Sequence, residues 1–266
     1  MVKVYRNGDI FLNENSSFLD ENKYMSVFFY LDAPLIKEAD KINYVLKVSD
    51  GRKKLLALKL EPFNLIIYGD HDCLEELLVF IRDNNYEIKD VMCSEELGNH
   101  LIDVSNRIFH KHYQKQIGMD FMKATEYTED SSKEVEIPTI DDVNELFECE
   151  VNFIKDCGLS DKPNRKKLIE KIPSLRIIRK DNRIVSMCGR SPDTDESIRI
   201  SLVYTRPEYR GQGLARKVVN YLKNEILNEG KIATLNVDQV NPISYHLYQS
   251  LGFKKVFSQG IYLLKE

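Results

Sequence analysis

The feature that most constrains the fold is a change of period between residues 198 and 227. Residues 198–204 (IRISLVY) have the β-branched and aromatic content of a strand. The turn Arg210-Gly211-Gln212-Gly213 lies a few residues further on, and then Leu214, Val218, Leu222 and Ile226 recur at helical spacing on one stripe. A strand that passes through a tight turn into a helix with one apolar face must lay that helix back on a sheet. The predicted class is therefore α/β, in the α+β sense of a mixed sheet.

The same reading extends along the chain. Residues 141–156 form a predicted helix with Val143, Leu146, Phe147, Val151 and Ile154 on one stripe, and a second helix follows Pro163. Three strands are predicted at 175–178, 184–188 and 198–204, then a helix at 213–227, a strand at 233–237, a helix at 242–250 and a strand at 261–264. Upstream, residues 43–49 and 54–68 read as a strand pair about Asp50-Gly51. A helix at 71–83, a strand at 88–92 and a helix at 95–109 follow, and the cluster Tyr24, Phe28, Phe29 and Tyr30 reads as part of a buried element. The polar, acidic stretch 125–139 (TEYTEDSSKEVEIPT) separates the halves. A chain of 266 residues accommodates two domains, so the expected division is 1–125, a linker at 126–133, and 134–266. The similar element order of the halves suggests a duplicated unit.

With 38 basic and 42 acidic side chains the formal charge is −4, which argues against bulk attraction to nucleic acid or an anionic membrane. An anionic ligand must then be held by a local site. No apolar run approaches the ~18 residues of a membrane span. The five cysteines include no C-x-x-C pair, and the N-terminus does not read as a signal peptide; a reduced, cytoplasmic protein is the expectation. No metal site is expected, because neither His71, Cys73, Cys93 and His100 nor His110 with His112 has zinc-ligand spacing.

The turn at 210–213 is a candidate anion cradle. Gly211 and Gly213 open backbone conformations closed to other residues and keep side chains away from the amides. The first helical turn offers unpaired N–H groups and the positive end of its dipole. Arg206, Arg210, Arg216 and Lys217 against Glu208 make this stretch locally positive. The structural alternative is a helix-entry turn with solvated arginines. Asn241-Pro242 likewise reads as a helix N-cap with proline in the first turn, and Tyr248, on a face with Ser244 and Leu251, reads as core.

Arg210-Gly-Gln-Gly213-Leu-Ala215 resembles the R-x-x-G-x-(G/A) pyrophosphate signature of the GNAT acyltransferases. Residues 241–253 (NPISYHLYQSLGF) resemble the second block of that superfamily, N-x-x-(A/S)-x-x-L-Y-x-x-x-G-F. The resemblance covers about residues 134–266 and implies a GNAT fold there. It also implies acetyl-CoA as co-substrate, lying between two splayed parallel strands at 198–204 and 233–237. By resemblance, Leu202, Val203 and Tyr204 hold the acyl carbonyl through backbone N–H groups, Arg210, Gly211, Gln212, Gly213, Leu214 and Ala215 hold the pyrophosphate, and Asn241 and Ser244 complete the cofactor site. Tyr248 serves the departing thiolate, and Glu196, by rough analogy, is the general base, with Glu148 or Glu150 as alternatives lining the acceptor cleft.

The implied reaction is direct attack of a primary amine, on a small molecule or peptide, on the thioester in a ternary complex. The rival reading is a module that senses acyl-CoA without turnover. Transfer of amino acids from aminoacyl-tRNA, another tandem GNAT chemistry, gives less reason for a CoA cradle, and the acidic charge disfavours tRNA. In the first half the corresponding turn, Tyr68-Gly-Asp70-His71-Asp72-Cys73, is acidic and should repel phosphate. That half is predicted to be a degenerate GNAT-like or accessory domain that shapes the acceptor cleft without binding CoA.

Overall fold

The computed structural model describes residues 1–109, 112–129, 133–158 and 162–265. The chain packs as two compact units, each discontinuous in sequence. The first comprises Met1–Asp120, Asp238–Val240 and Phe257–Glu266, and the second Phe121–Val237 and Asn241–Val256.

In chain order the first unit contains β1 (Val2–Val4), α1 (Gly8–Leu19), α2 (Lys23–Asp32), β2 (Tyr44–Ser49), β3 (Lys54–Lys59), β4 (Leu65–Gly69), α3 (Leu74–Asp83), β5 (Asp90–Ser94), α4 (Glu95–Phe109) and most of β6 (His112–Ala124). The stretch 54–68, predicted as a single strand, is two antiparallel strands, pairing from Leu55↔Gly69 to Leu58↔Ile66. Glu61-Pro62-Phe63-Asn64 interrupts it, because proline cannot donate to a ladder. Strands β4 and β5 then run parallel.

Alternation along these strands buries both faces of the sheet. Tyr44, Leu46, Val48, Leu55, Ala57, Leu65 and Ile67 meet the apolar stripes of α3 and α4. Val45, Leu56, Leu58 and Ile66 meet Phe11, Leu19 and Phe29 of α1 and α2. The aromatic cluster thus belongs to a helix, with Phe29 fully buried. A strand whose odd and even residues are both apolar needs a layer on each side.

The second unit contains β7 (Val135–Glu136), α5 (Val143–Asp156), α6 (Arg165–Lys171), β8 (Leu175–Lys180), β9 (Arg183–Thr194), β10 (Ser197–Thr205), α7 (Leu214–Asn228), β11 (Ile232–Asp238), α8 (Pro242–Ser250) and the start of β12 (Lys254–Lys265). Strands β7 to β10 are successive antiparallel neighbours, and β11 joins β10 in parallel. Helices α5 and α6 cover one face over Leu175, Ile177, Ile184 and Met187. On the other face, α7 and α8 cover Ile178, Val185, Ile198 and Ile200. Both units therefore follow one order: a short strand, two helices, three antiparallel strands, a helix, a parallel strand and a helix.

The strand after the last helix of each half contributes to the other unit's core. Residues Met122 and Ala124 of β6 are buried with the α7 and α8 cluster. Gln259 to Leu263 of β12 pair antiparallel with Asp90 to Ser94 of β5.

Candidate active site

Strands β10 and β11 pair at Ser197↔Ile232, Ile198↔Ala233 and Arg199↔Thr234, and the register ends there. From Ile200 onward β10 runs beside an open edge. On its other side the register with β9 steps from Ser201↔Gly189 to Tyr204↔Met187, so Leu202 and Val203 both stand opposite Cys188. Such a bulge leaves one residue out of the ladder and bends the strand. It also reverses which face each side chain meets. Ile198 and Ile200 pack toward α7, whereas Leu202 and Tyr204 pack toward α5. Leu202 has φ +51°, a left-handed backbone uncommon for leucine, held by packing on both sides of it.

Chain direction places the glycine turn just beyond β10. Gly211 and Gly213 both have φ +75°, and a Cβ built on either meets nothing within 4 Å. Backbone conformation rather than packing explains these glycines, and the space above the turn is open to a ligand. Gly213 is the N-cap of α7 and supplies no side-chain cap, so the first amides of a 15-residue helix point outward unpaired. Leu214 anchors that turn in the core, and Ala215 is half-buried.

The turn is ringed by cations. Arg210 donates to the Thr205 carbonyl at 3.0 Å and pairs with Asp156 at the end of α5. Lys180, at the end of β8, donates to Gln212 Oε1 at 2.6 Å and lies 6.0 Å from the Tyr209 ring centroid. Lys180 is 32 residues from Gln212 in sequence, and no local signal marks it. Arg216 bonds Ser250, and Lys217 pairs with Glu134. Arg206, counted with these cations in the sequence, serves another purpose. It is 3% exposed, donates to the Ile184 carbonyl at 2.7 Å and pairs with Glu145 and Glu148. Its hydrogen bonds to the accepting Glu148 carboxylate, with burial opposing, hold this guanidinium charged.

Asn241 caps α8, its Oδ1 accepting from the Ser244 N–H at 3.0 Å; the capping role is met in full by this geometry. One turn further in, Tyr248 is buried with its ring 6.0 Å from that of Phe253. Its hydroxyl makes no hydrogen bond with a described residue. Burial pushes the phenol pKa well up, helped by the nearby Cys188 and Cys157 thiols. Cys188 is the residue opposite the bulge, and its thiol donates to the Val218 carbonyl at 3.4 Å. Tyr248 therefore stands close to the bulge with its proton retained.

The three carboxylates separate clearly. Glu196 is exposed in the turn before β10, with its carbonyl accepting from Ile232 N–H at 2.9 Å. It lies at the paired end of β10 and β11, six residues from Leu202, or ~20 Å along a strand. Glu148 is engaged by Arg206, whose hydrogen bond holds its carboxyl below the usual range. Glu150 is 7% exposed on α5, the helix that packs on Leu202 and Tyr204.

Among the described residues, one trio of metal-ligating types has its atoms within 4.8 Å: Asp70, His71 and Asp72. They are consecutive in the chain, and Asp72 is already paired with Lys53. Cys73 and Cys93 are buried thiols whose pKa is raised by burial. His110 lies outside the described residues.

Residues 177–261 match the family of FR47-like proteins. Over 52 residues, 19% of this chain, the sequence is 40% identical to the L-amino acid N-acyltransferase MnaT of Escherichia coli (strain K12). The chain spans 30% of the length of that curated relative. An acetyltransferase of the GNAT family from Colwellia psychrerythraea aligns over 100% of both chains at a TM-score of 0.63 and 12% identity. A GCN5-related N-acetyltransferase from Sphaerobacter thermophilus aligns over 98% of this chain and 94% of its own at 0.63 and 15%. At such identities these two likenesses speak for the fold, and they do so over both units. The chain thus shares the fold of these two acetyltransferases, and residues 177–261, which match the FR47-like family, contain the glycine turn, the bulged strand and the splayed pair of its second unit.

Proposed function

We propose that the second unit is an acetyl-CoA-dependent N-acyltransferase acting on a primary amine of a small molecule or peptide by direct attack in a ternary complex. The observation that carries this reading is the meeting, within one unit, of an open cationic glycine turn, a bulge beside a splayed strand pair, and a buried protonated tyrosine. Bound there, acetyl-CoA supplies an activated acyl carbon and a thiolate leaving group. The amides at 211–215 face its pyrophosphate, with Arg210 and Lys180 adding charge. Backbone N–H groups at Leu202 and Val203 hold the acyl oxygen as negative charge develops on it. Tyr248, its proton retained by burial, donates to the departing sulfur.

Glu150 is assigned the amine's proton in preference to Glu196. It is the inward-facing carboxylate on the helix against the bulge, whereas Glu196 is held at the far end of the strand. The five cysteines are free, in keeping with a reducing cytoplasm, and no helix among the described residues is long and apolar enough to cross a membrane.

Calorimetric titration of acetyl-CoA into the wild-type chain and into Gly213→Glu tests the donor site. Saturable binding near one equivalent, lost in the variant, is the expected result, and an absence of binding to wild type would remove the reading. Thiol release across an amine panel then separates an enzyme from an acyl-CoA sensor, which would bind without turnover.

A further inference from the structure

The first unit repeats the splay of the second without its chemistry. Strands β4 and β5 pair in parallel at Leu65↔Val91 and Ile66↔Met92 only. Past that point a cavity of about 370 Å³ opens among β4, β5, the start of α4 and the α1 and α2 layer, a size suited to a small molecule. Its turn is capped by Asp70, whose carboxylate accepts from the Asp72 N–H at 3.0 Å. Two acids at this position turn away the phosphates that the glycine turn of the second unit receives.

The lining is divided by chemistry. Phe18, Met25 and Phe257 give apolar surface. Arg52 and Lys54 supply positive charge, and Asp70 and Glu96 negative charge, to the same cavity. Lys54 sits 5.7 Å from the Phe18 ring centroid. Neither Arg52 nor Glu96 forms an ion pair or hydrogen bond with a described residue, although the neighbouring Lys53 is paired with Asp72. A simple anion here faces Glu96 and Asp70, and a simple cation faces Arg52 and Lys54. A molecule carrying both charges a few ångströms apart, with an apolar group attached, meets every part of the lining with the matching sign.

We propose that this cavity is a second ligand site, for a free α-amino acid with an apolar side chain: carboxylate toward Arg52, ammonium toward Glu96, and side chain on the surface of Phe18, Met25 and Phe257. The site stands apart from the acyltransferase reading, since it uses residues of the first unit alone.

Calorimetric titration of L-phenylalanine, L-leucine and L-methionine into the full chain tests it. At least one of them should bind saturably near one equivalent. N-acetylation or amidation of that ligand, which removes one charge at a time, should each weaken binding at least tenfold. Arg52→Glu and Glu96→Lys, both exposed changes that leave the fold intact, should do the same, while Gly213→Glu leaves amino-acid binding unchanged. The proposal is overturned if none of the three saturates up to about 10 mM, if the blocked derivatives bind as well as the parent, or if both charge reversals bind undiminished.

Discussion

The two units share an element order and a splayed parallel pair, yet they differ at the three points on which the proposed acyl transfer rests. Strand β10 carries a bulge with Leu202 at φ +51°, whereas β4 pairs with β3 in unbroken register. The turn after β10 is two glycines ringed by cations, whereas the turn after β4 is capped by Asp70 and carries Asp72. Helix α8 buries Tyr248, whereas α4 contains no tyrosine. One element order can thus carry two different sets of local features, because the layers depend on apolar alternation and the bulge, turn and buried tyrosine on a handful of local departures from it.

The largest effect is expected from the ion pair under the second unit. Arg206→Met should lower its stability by about 3 kcal/mol, since it leaves carboxylates facing an apolar group where a buried guanidinium stood. The Glu148 carboxyl is held below its ordinary value of 4.5, so the pair's contribution is full above that pH and fades as pH falls through the lowered value. Urea midpoints measured at neutral and at acid pH should therefore differ between wild type and variant at the first and converge at the second. Equal midpoints at neutral pH would reduce Arg206 to a surface charge.

Removal of the buried tyrosine hydroxyl that α8 carries and α4 lacks comes next. Tyr248→Phe should retain acetyl-CoA affinity and lose turnover by roughly a hundredfold, because the ring packs on Phe253 while the hydroxyl bonds no described residue. Loss of affinity with turnover per bound molecule unchanged would make Tyr248 a core residue.

The contrast between carboxylates is smaller. Glu150→Gln should cut turnover about tenfold and flatten the acid limb of its pH profile. Glu196→Gln should leave kinetics unchanged, its side chain being exposed at the closed end of β10. The reverse result would return the base to Glu196 and require the acceptor to reach along the strand.

Much of the fold was legible in the sequence. The predicted helix at 95–109 coincides with α4 and that at 242–250 with α8, because apolar spacing and end signals such as Asn241-Pro242 are local. The glycine turn was legible too, since only glycine adopts φ +75° freely. The bulge was not. Residues 198–204 read as one uninterrupted strand, and nothing in their composition says that Leu202 turns to the face opposite Ile200. Lys180 and Asp156 escaped notice for the related reason that they reach the turn from 32 and 54 residues away.

Sequence by itself determined the α/β class, the layers and the cationic glycine turn with its helix, because periodicity and backbone permission are properties of a few adjacent residues. Tertiary structure decided where each charge sits and what it pairs with. Arg206 is consumed by Glu145 and Glu148 while Arg210 stays at the turn, and Glu196 and Glu150, alike as carboxylates in the sequence, end at the closed end of a strand and inside a helix layer. Those assignments depend on what the chain brings alongside each residue from far away, and on burial, which only the packed sheet and its helices create.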